Sequence, residues 1–318
     1  MGLIKMPSEL EVKKTISILI YGEPGIGKTT LGVSAPNAVL FDYDGGVQRI
    51  NGAHRVPTLQ VSSWEQTQEA IEEINKELPQ TQTIVIDTVG KMLDYMSDYI
   101  IRTNVGNKKV VQMDGSLGLG GYGIRKTMFA NFIRQLFLKG YNVIFIAHEV
   151  EQKRGEDYIK RPEVGGSSVN DLIKELDLVG YLRAVGKKRT ITFDPEEHYY
   201  AKNTCNLAPN IEIPVVVDAN GNVNASNDFM CKIIDVYHES QKRDLEKTGE
   251  YEKQIAQIKA DIAALNDAAG VNAYVEVCKQ MAAENKHIYN SKMVQRSTLQ
   301  ARIDELKLTF NKEKGCYE

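Results

Sequence analysis

Thr15-Ile16-Ser17-Ile18-Leu19-Ile20-Tyr21 runs straight into Gly22-Glu23-Pro24-Gly25-Ile26-Gly27-Lys28-Thr29-Thr30. The first segment is short, apolar and rich in β-branched residues, the pattern of a buried strand. The second matches G-x-x-x-x-G-K-[ST], which arises by chance in on the order of one chain in a hundred of this length. Glycines let backbone N–H groups turn inward around phosphates, and the helix that follows presents its positive end. Lys28 is placed to reach the β- and γ-phosphates, and the Thr29 hydroxyl to ligate Mg²⁺. Gly22 to Thr30 are therefore the expected nucleotide-binding residues.

Outward from this loop, short apolar runs alternate with helical patterns. Ala38 to Phe41 reads as a second strand ending in Asp42-Tyr43-Asp44-Gly45-Gly46, and a helix spans about Trp64 to Leu78. Thr83 to Ile86 is a third strand; Met92, Tyr95, Met96, Tyr99 and Ile100 recur at helical spacing; Asn131 to Leu138 closes another helix before the strand Asn142 to Ala147. Strands alternating with helices predict βαβ crossovers and a mainly parallel sheet flanked by helices. Residues 104–123, with the run DGSLGLGGYG, are too glycine-rich for a stable element and read as a mobile loop. Residues 149–168 read as a polar hairpin or loop, and 177–185, 189–194 and 197–202 as further strands. Beyond about Val236 proline disappears, and Ile255, Ile258, Ile262, Leu265 and then Leu299, Ile303, Leu306, Phe310 follow a 3-4 spacing. The expected domains are thus an α/β unit over 1–235 and a helical appendage over 236–318, a helical hairpin, three helices or a short coiled coil.

Asp87 ends the run Ile84-Val85-Ile86, and the carboxyl ends of strands are where α/β sheets bind ligands. It is the expected Walker B carboxylate, holding Mg²⁺ together with Thr29. With ATP and Mg²⁺ as cofactors, the chain is expected to be an ATPase.

Bulk properties restrict the partners. A formal net charge of −3 over 318 residues excludes a molecule that binds nucleic acid through overall charge, so any such contact needs local basic patches. Cys205, Cys231, Cys278 and Cys316 form no Cys-x-x-Cys pair and read as reduced thiols, as in a reducing cytosol. The charged N-terminus lacks the apolar stretch of a signal peptide, and no apolar run has membrane-spanning length. A cytoplasmic protein without membrane contact is expected, in a host cytoplasm if a phage encodes it.

Several P-loop classes can be compared. Thr88, not Glu, follows Asp87, so the AAA class, with its Glu beside the Walker B Asp, fits poorly. No LSGGQ-like signature supports an ABC transporter. Asp87-Thr88-Val89-Gly90 matches the D-x-x-G switch of GTPases, but the near match to N-K-x-D, Asn75-Lys76-Glu77-Leu78, precedes it and ends in Leu. Five stretches, GEPGIGKTT (22–30), VLFDYDGG (39–46), IVIDTVG (84–90), VIFIAHE (143–149) and AKNTCNLAP (201–209), resemble the RecA-like ATPases. More narrowly they resemble the phage RecA-like recombination proteins of the Sak single-strand-annealing group, over residues 16 to about 214.

The resemblance implies a RecA-like P-loop NTPase fold and an ATPase that anneals or exchanges DNA strands. It places the acid that orients the attacking water after the strand next to the P-loop, at Asp44 with Asp42 as fallback; the family usually has Glu there, and the shorter Asp implies slow hydrolysis or a displaced water. It makes His148 a sensor of the γ-phosphate and Lys202 a finger reaching a neighbouring subunit, in a homo-oligomeric ring or filament. Single-stranded DNA is expected at two loops, through Lys108 and Lys109 and through Lys153, Arg154, Lys160 and Arg161, with Tyr122 and Tyr158 as stacking faces. A single-strand-binding protein or other replication partner is a further expected contact. The rival readings are a motor or loader acting on a replication or packaging protein, a GTPase-like switch, and a nucleotide-binding scaffold with little turnover.

Overall fold

The computed structural model describes residues 4–105, 110–165, 173–186 and 188–318. They fall into two compact units, Lys13–His238 and Glu239–Glu318, the latter joined by the N-terminal residues through Val12. The N-terminal stretch, grouped by sequence with the α/β unit, clusters with the helices because the Ser8 amide and hydroxyl both donate to the Glu252 carboxylate.

In the larger unit the strands are β1 (Ser17–Gly22), β2 (Ala38–Asp42), β3 (Thr58–Gln60), β4 (Thr83–Asp87), β5 (Asn142–Arg154), β6 (Asp157–Pro162), β7 (Leu178–Val185), β8 (Lys188–Thr192) and β9 (Ile211–Ile213). They lie in the order β3-β2-β4-β5-β1-β7-β8-β9, with β6 paired to the far half of β5. The strands from β3 to β7 are parallel, and β8 and β9 add antiparallel edges. Strands β1, β2 and β4 are buried along their whole length, as parallel strands covered on both faces must be.

One face packs α2 (Trp64–Glu77), α3 (Val89–Thr103) and α4 (Leu119–Leu138) through Ile71, Ile74, Met92, Met96, Phe132 and Leu136. The other packs α1 (Lys28–Gly32) and the start of α5 (Phe229–Ala263) through Leu31, Met230, Ile233 and Tyr237. Helix α5 begins seven residues before the expected boundary because this first stretch carries the apolar face that covers the sheet.

Two expectations are corrected. Residues 119–123 are not loop but the opening of α4. A Cβ on Gly121 would lie 2.4 Å from Leu117 Cδ1 and 2.9 Å from the Val110 carbonyl, so glycine is what lets this turn approach the preceding segment. Residues 197–202 form isolated bridges, Tyr199 with Lys160 and Lys202 with Val179, rather than a strand. Within the expected 149–168 segment, residues 149–162 are a hairpin arm of β5 and β6, paired from Glu149↔Pro162 to Arg154↔Asp157; 166–168 lie outside the described residues.

In the smaller unit α5 continues to Ala263, followed by α6 (Ala268–Ala283), α7 (Ser291–Glu305) and a two-stranded ribbon, β10 (Phe310–Asn311) with β11 (Cys316–Tyr317). Its core is Ile258, Ile262, Leu299 and Ile303, from the 3-4 stripes read from sequence, together with Val271 and Tyr274 of α6, which were not. Phe310 is instead half exposed on the ribbon. The four cysteines are free thiols, and no described helix is long and apolar enough to cross a membrane.

Candidate functional site

The carboxyl ends of β1, β2 and β4 meet the middle of β5, at His148, along one edge of the sheet. The parallel register sets Asp42 beside Asp87 and Gly22 beside His148. A cavity of about 140 Å³ opens there, lined by Gly25, Gly27, Lys28, Thr29, Thr30, Asp44, Gly46, Arg49, Ile50, Asp87 and His148. Asp42 and Asp87 are 45 positions apart and Gly22 and His148 are 126 apart, yet strand order sets each pair side by side.

The phosphate loop turns through Gly25 and Gly27, whose φ angles of 77° and 98° lie in the left-handed region that side chains disfavour. Gly22 serves packing: a Cβ there would sit 2.2 Å from the Leu182 carbonyl of β7. Glu23, Pro24 and Ile26 do not line the cavity. The Glu23 carboxylate instead approaches Lys160 at 3.9 Å.

Lys28 is 5% exposed and folds back on its own loop, donating to the carbonyls of Gly22 at 2.9 Å and Glu23 at 2.7 Å. Its Nζ also lies 3.5 Å from His148 Nδ1. Because an ammonium only donates, Nδ1 is the acceptor and the ring proton falls on Nε2. Nε2 faces Asp44 Oδ2 at 4.0 Å. Burial lowers the Lys28 pKa from its ordinary value, against the raising influence of Asp87, Glu149, Asp44 and Glu23. Burial likewise raises that of Asp87, opposed by the Thr29 hydroxyl and assisted by Asp42 and Asp44. Each ion is destabilised by removal from water, and their mutual attraction does not offset it.

Thr29 Oγ1 donates to Asp87 Oδ2 at 2.5 Å. A hydroxyl and a carboxylate touching at the cavity floor are hard oxygen donors of the kind Mg²⁺ takes, usually one or two from protein with water and phosphate completing the shell. The Asp87–Thr88 peptide bond is cis.

The structure separates Asp42 from Asp44. Asp42 is 2% exposed and its two oxygens accept from the amides of Gly46 at 2.9 Å and Val47 at 3.0 Å. It closes the turn after β2 and has no oxygen turned to the cavity. Asp44 lines the cavity. Strand β2, which ends at Asp42 and leads into the turn with Asp44, follows the P-loop in the chain but not in the sheet, where β4 and β5 stand between it and β1.

Other expected residues lie elsewhere. Lys202 is not on the cavity; its ammonium donates to the carbonyls of Lys174 and Leu176. On the hairpin arm, Lys153 and Arg154 are exposed near the tip beside Tyr158. Lys160 is paired with Glu149 at 2.6 Å, which raises its pKa above the ordinary lysine value. Arg161 donates to the Gln152 side chain and stacks 5.7 Å from the Tyr200 ring. Lys108 and Lys109 lie outside the described residues. Tyr122 is exposed and packs over the buried Arg125, 4.8 Å away. Sequence reading missed Gly46, Arg49 and Ile50 as cavity residues; the signal was their position one turn after Asp44-Gly45.

A family model described as an AAA domain matches residues 14–205. The chain belongs to this family of P-loop proteins, which implies nucleotide binding at the loop. Membership corrects the expectation that the AAA class fits poorly for want of a Glu after Asp87. At that position Thr88 caps α3, its hydroxyl accepting from the Lys91 amide at 3.4 Å, while acids reach the cavity from the turn after β2 (Asp44) and the end of β4 (Asp87). The SPbeta prophage-derived uncharacterized protein YorG of Bacillus subtilis (strain 168) is 27% identical over 195 residues, which is 57% of this chain and 57% of that protein. The chain thus spans little more than half of that relative's length.

Proposed function

We propose that this protein is a phage-type ATPase that binds single-stranded DNA in recombination, hydrolysing ATP at the cavity between β1, β2, β4 and β5. The observation that carries the reading is the convergence of Lys28, Thr29, Asp44, Asp87 and His148 on one cavity, with β5 running on from His148 into a basic hairpin arm. The prophage source of the relative supports the phage assignment.

In this reading Lys28 leaves the Gly22 and Glu23 carbonyls for the β- and γ-phosphates. Thr29 and Asp87 hold Mg²⁺, which when bound neutralises charge on the phosphate oxygens. Asp44 orients water and takes its proton as the water oxygen bonds to the γ-phosphorus and the bond to the bridging β–γ oxygen breaks. His148 Nε2–H, facing the same space, donates to the γ-phosphate and loses that partner once phosphate leaves. Lys153, Arg154 and Tyr158 contact the strand by phosphate neutralisation and stacking. Lys202 acts only after release from the Lys174 and Leu176 carbonyls, in an oligomer.

ATP turnover measured with and without single-stranded DNA at two salt concentrations tests this. Stimulation that weakens with salt, disappears in Lys28→Ala and falls in Lys153→Ala/Arg154→Ala is expected. Turnover indifferent to DNA, with no DNA bound in the same samples, sinks the recombination reading and favours a motor or loader with a protein partner.

A further inference from the structure

A second cavity, of about 470 Å³, adjoins the first. The two share Thr30, Arg49 and Ile50, so they join at the outer end of the phosphate loop. The far side of the second is formed by Arg189 of β8 and by Val216 and Val217. The lining comes from four separate parts of the chain, around Thr30, Gln48 to Arg55, Arg189 and Val216-Val217, and of these only Thr30 belongs to the loop motif.

The polar groups around this cavity differ in what remains available. Arg55 is committed to shape: its Nε donates to the Ile50 carbonyl at 3.0 Å and its Nη2 to the Gln48 carbonyl at 3.0 Å, fixing the turn that makes the wall. Arg189 is held only at the limit of hydrogen-bond reach, with Nη1 3.4 Å from the Ile26 carbonyl and Nη2 3.5 Å from the Pro214 carbonyl. Among the described residues no carboxylate pairs with it. Its guanidinium lies against the phosphate loop so closely that a Cβ on Gly27 would meet Nη1 at 2.5 Å. A planar cation with unfilled donors thus faces a space whose lining is mixed, polar at Thr30, Gln48 and Asn51 and apolar at Ile50, Val216 and Val217.

We propose that this second cavity receives the nucleoside of the triphosphate, with the base lying flat against the Arg189 guanidinium and its other contacts made by Ile50 and Val216. A guanidinium stacks on aromatic faces, and a base offers such a face, while the apolar walls take the rest of its surface. A triphosphate whose terminal phosphate lies between Lys28 and Asp44 leaves the first cavity past Thr30, and its nucleoside enters the second. This inference rests on the nucleotide-binding reading of the phosphate loop and adds the residue that distinguishes a nucleotide from bare polyphosphate.

Calorimetric titration of the full chain with MgATP and with magnesium tripolyphosphate tests it. Arg189→Ala is expected to weaken MgATP about ten- to thirtyfold while tripolyphosphate changes less than about twofold, as loss of a desolvated cation–π contact implies. Arg189→Lys, which keeps the charge and the stem but not the planar face, guards against misfolding of the alanine variant and is expected to fall between. Equal weakening of both ligands overturns the proposal, because Arg189 then acts on the phosphate loop. No weakening of either overturns it too. Wild-type protein that binds neither ligand removes the phosphate-loop reading itself, whereas tripolyphosphate binding without any gain for ATP removes only the nucleoside cavity.

Discussion

Asp42 and Asp44 stand two residues apart, and the structure assigns them opposite consequences when neutralised. Asp42→Asn keeps one acceptor oxygen, so it loses one charge-assisted bond to the Gly46 or Val47 amide and turns an NH₂ toward a backbone N–H. Losing such a bond in a buried turn costs about 3 kcal/mol. Removing the charge also relieves Asp87, whose ionisation Asp42 opposes across the β2–β4 pair, an offset of about 1 kcal/mol. A net loss of about 2 kcal/mol in a unit of this size lowers Tm by about 4–8 °C. Asp44→Asn breaks no hydrogen bond found among the described residues and should leave Tm within about 1 °C, while turnover falls about 10²- to 10⁴-fold. Differential scanning calorimetry and steady-state ATP hydrolysis on the two variants check this together. A stable, inactive Asp42→Asn beside an active Asp44→Asn refutes the assignment and makes Asp42 the acid that orients water.

Asp87→Asn should stabilise the protein without nucleotide by about 1 kcal/mol at neutral pH and abolish stabilisation by MgATP, since a buried functional ion is a net cost to the fold. Because the folded-state pKa of Asp87 is raised, the native state binds its proton more tightly. The wild-type penalty therefore fades as pH falls through that raised pKa, and the Tm gap between Asp87→Asn and wild type should narrow in acid. Lys28→Met should mirror this: the folded pKa of Lys28 is lowered, so its gap should narrow as pH rises, as thermal melts across pH will show. Gly180→Ala drives a Cβ to 2.6 Å from Ile191 and 2.8 Å from Phe193, and should lose about 1–3 kcal/mol in denaturant melts without changing the KM for ATP. Lys160→Ala strands the Glu149 carboxylate, 11% exposed, and should cost about 2 kcal/mol, whereas Lys153→Ala should stay within about 0.5 kcal/mol. Equal Tm values for these two lysine variants would show that the Glu149 pair contributes nothing.

The parallel sheet, the phosphate loop and the helical character of the tail were legible because each is written locally, in β-branched runs, a nine-residue motif and 3-4 stripes. What was not legible depends on contacts between distant segments. The glycines of 119–123 read as loop because propensity disfavours them in a helix, yet Gly121 is required by the approach of Leu117 and Val110. Strand β3 was missed because Thr58–Gln60 is three residues long and at the sheet edge. Lys160 and Arg161 were expected to meet DNA together with Lys153 and Arg154, but Glu149 and Tyr200, their partners, come near only when β5 and β6 pair and the 199–202 segment docks alongside. Arg189 carries no sequence signal at all, since its significance lies in touching Gly27.

Strand β5 ties the nucleotide site to the proposed DNA arm. It passes His148 by the cavity and continues without a break to Lys153 and Arg154, so the arm is an extension of a core strand rather than a loop set upon it. The arm returns through Lys160, whose ammonium binds Glu149 beside the sensor position and approaches Glu23 of the phosphate loop at 3.9 Å. The Glu23 carbonyl is also one of the two oxygens that hold Lys28. A phosphate that draws Lys28 away frees that carbonyl, and the residue so released is the one whose carboxylate faces the arm. The same cation contacts both the residue after His148 and the loop that grips phosphate. On the proposed function, nucleotide state therefore reaches the DNA arm through side chains in direct contact, and a nucleotide-dependent change in DNA affinity follows from the position of Lys160.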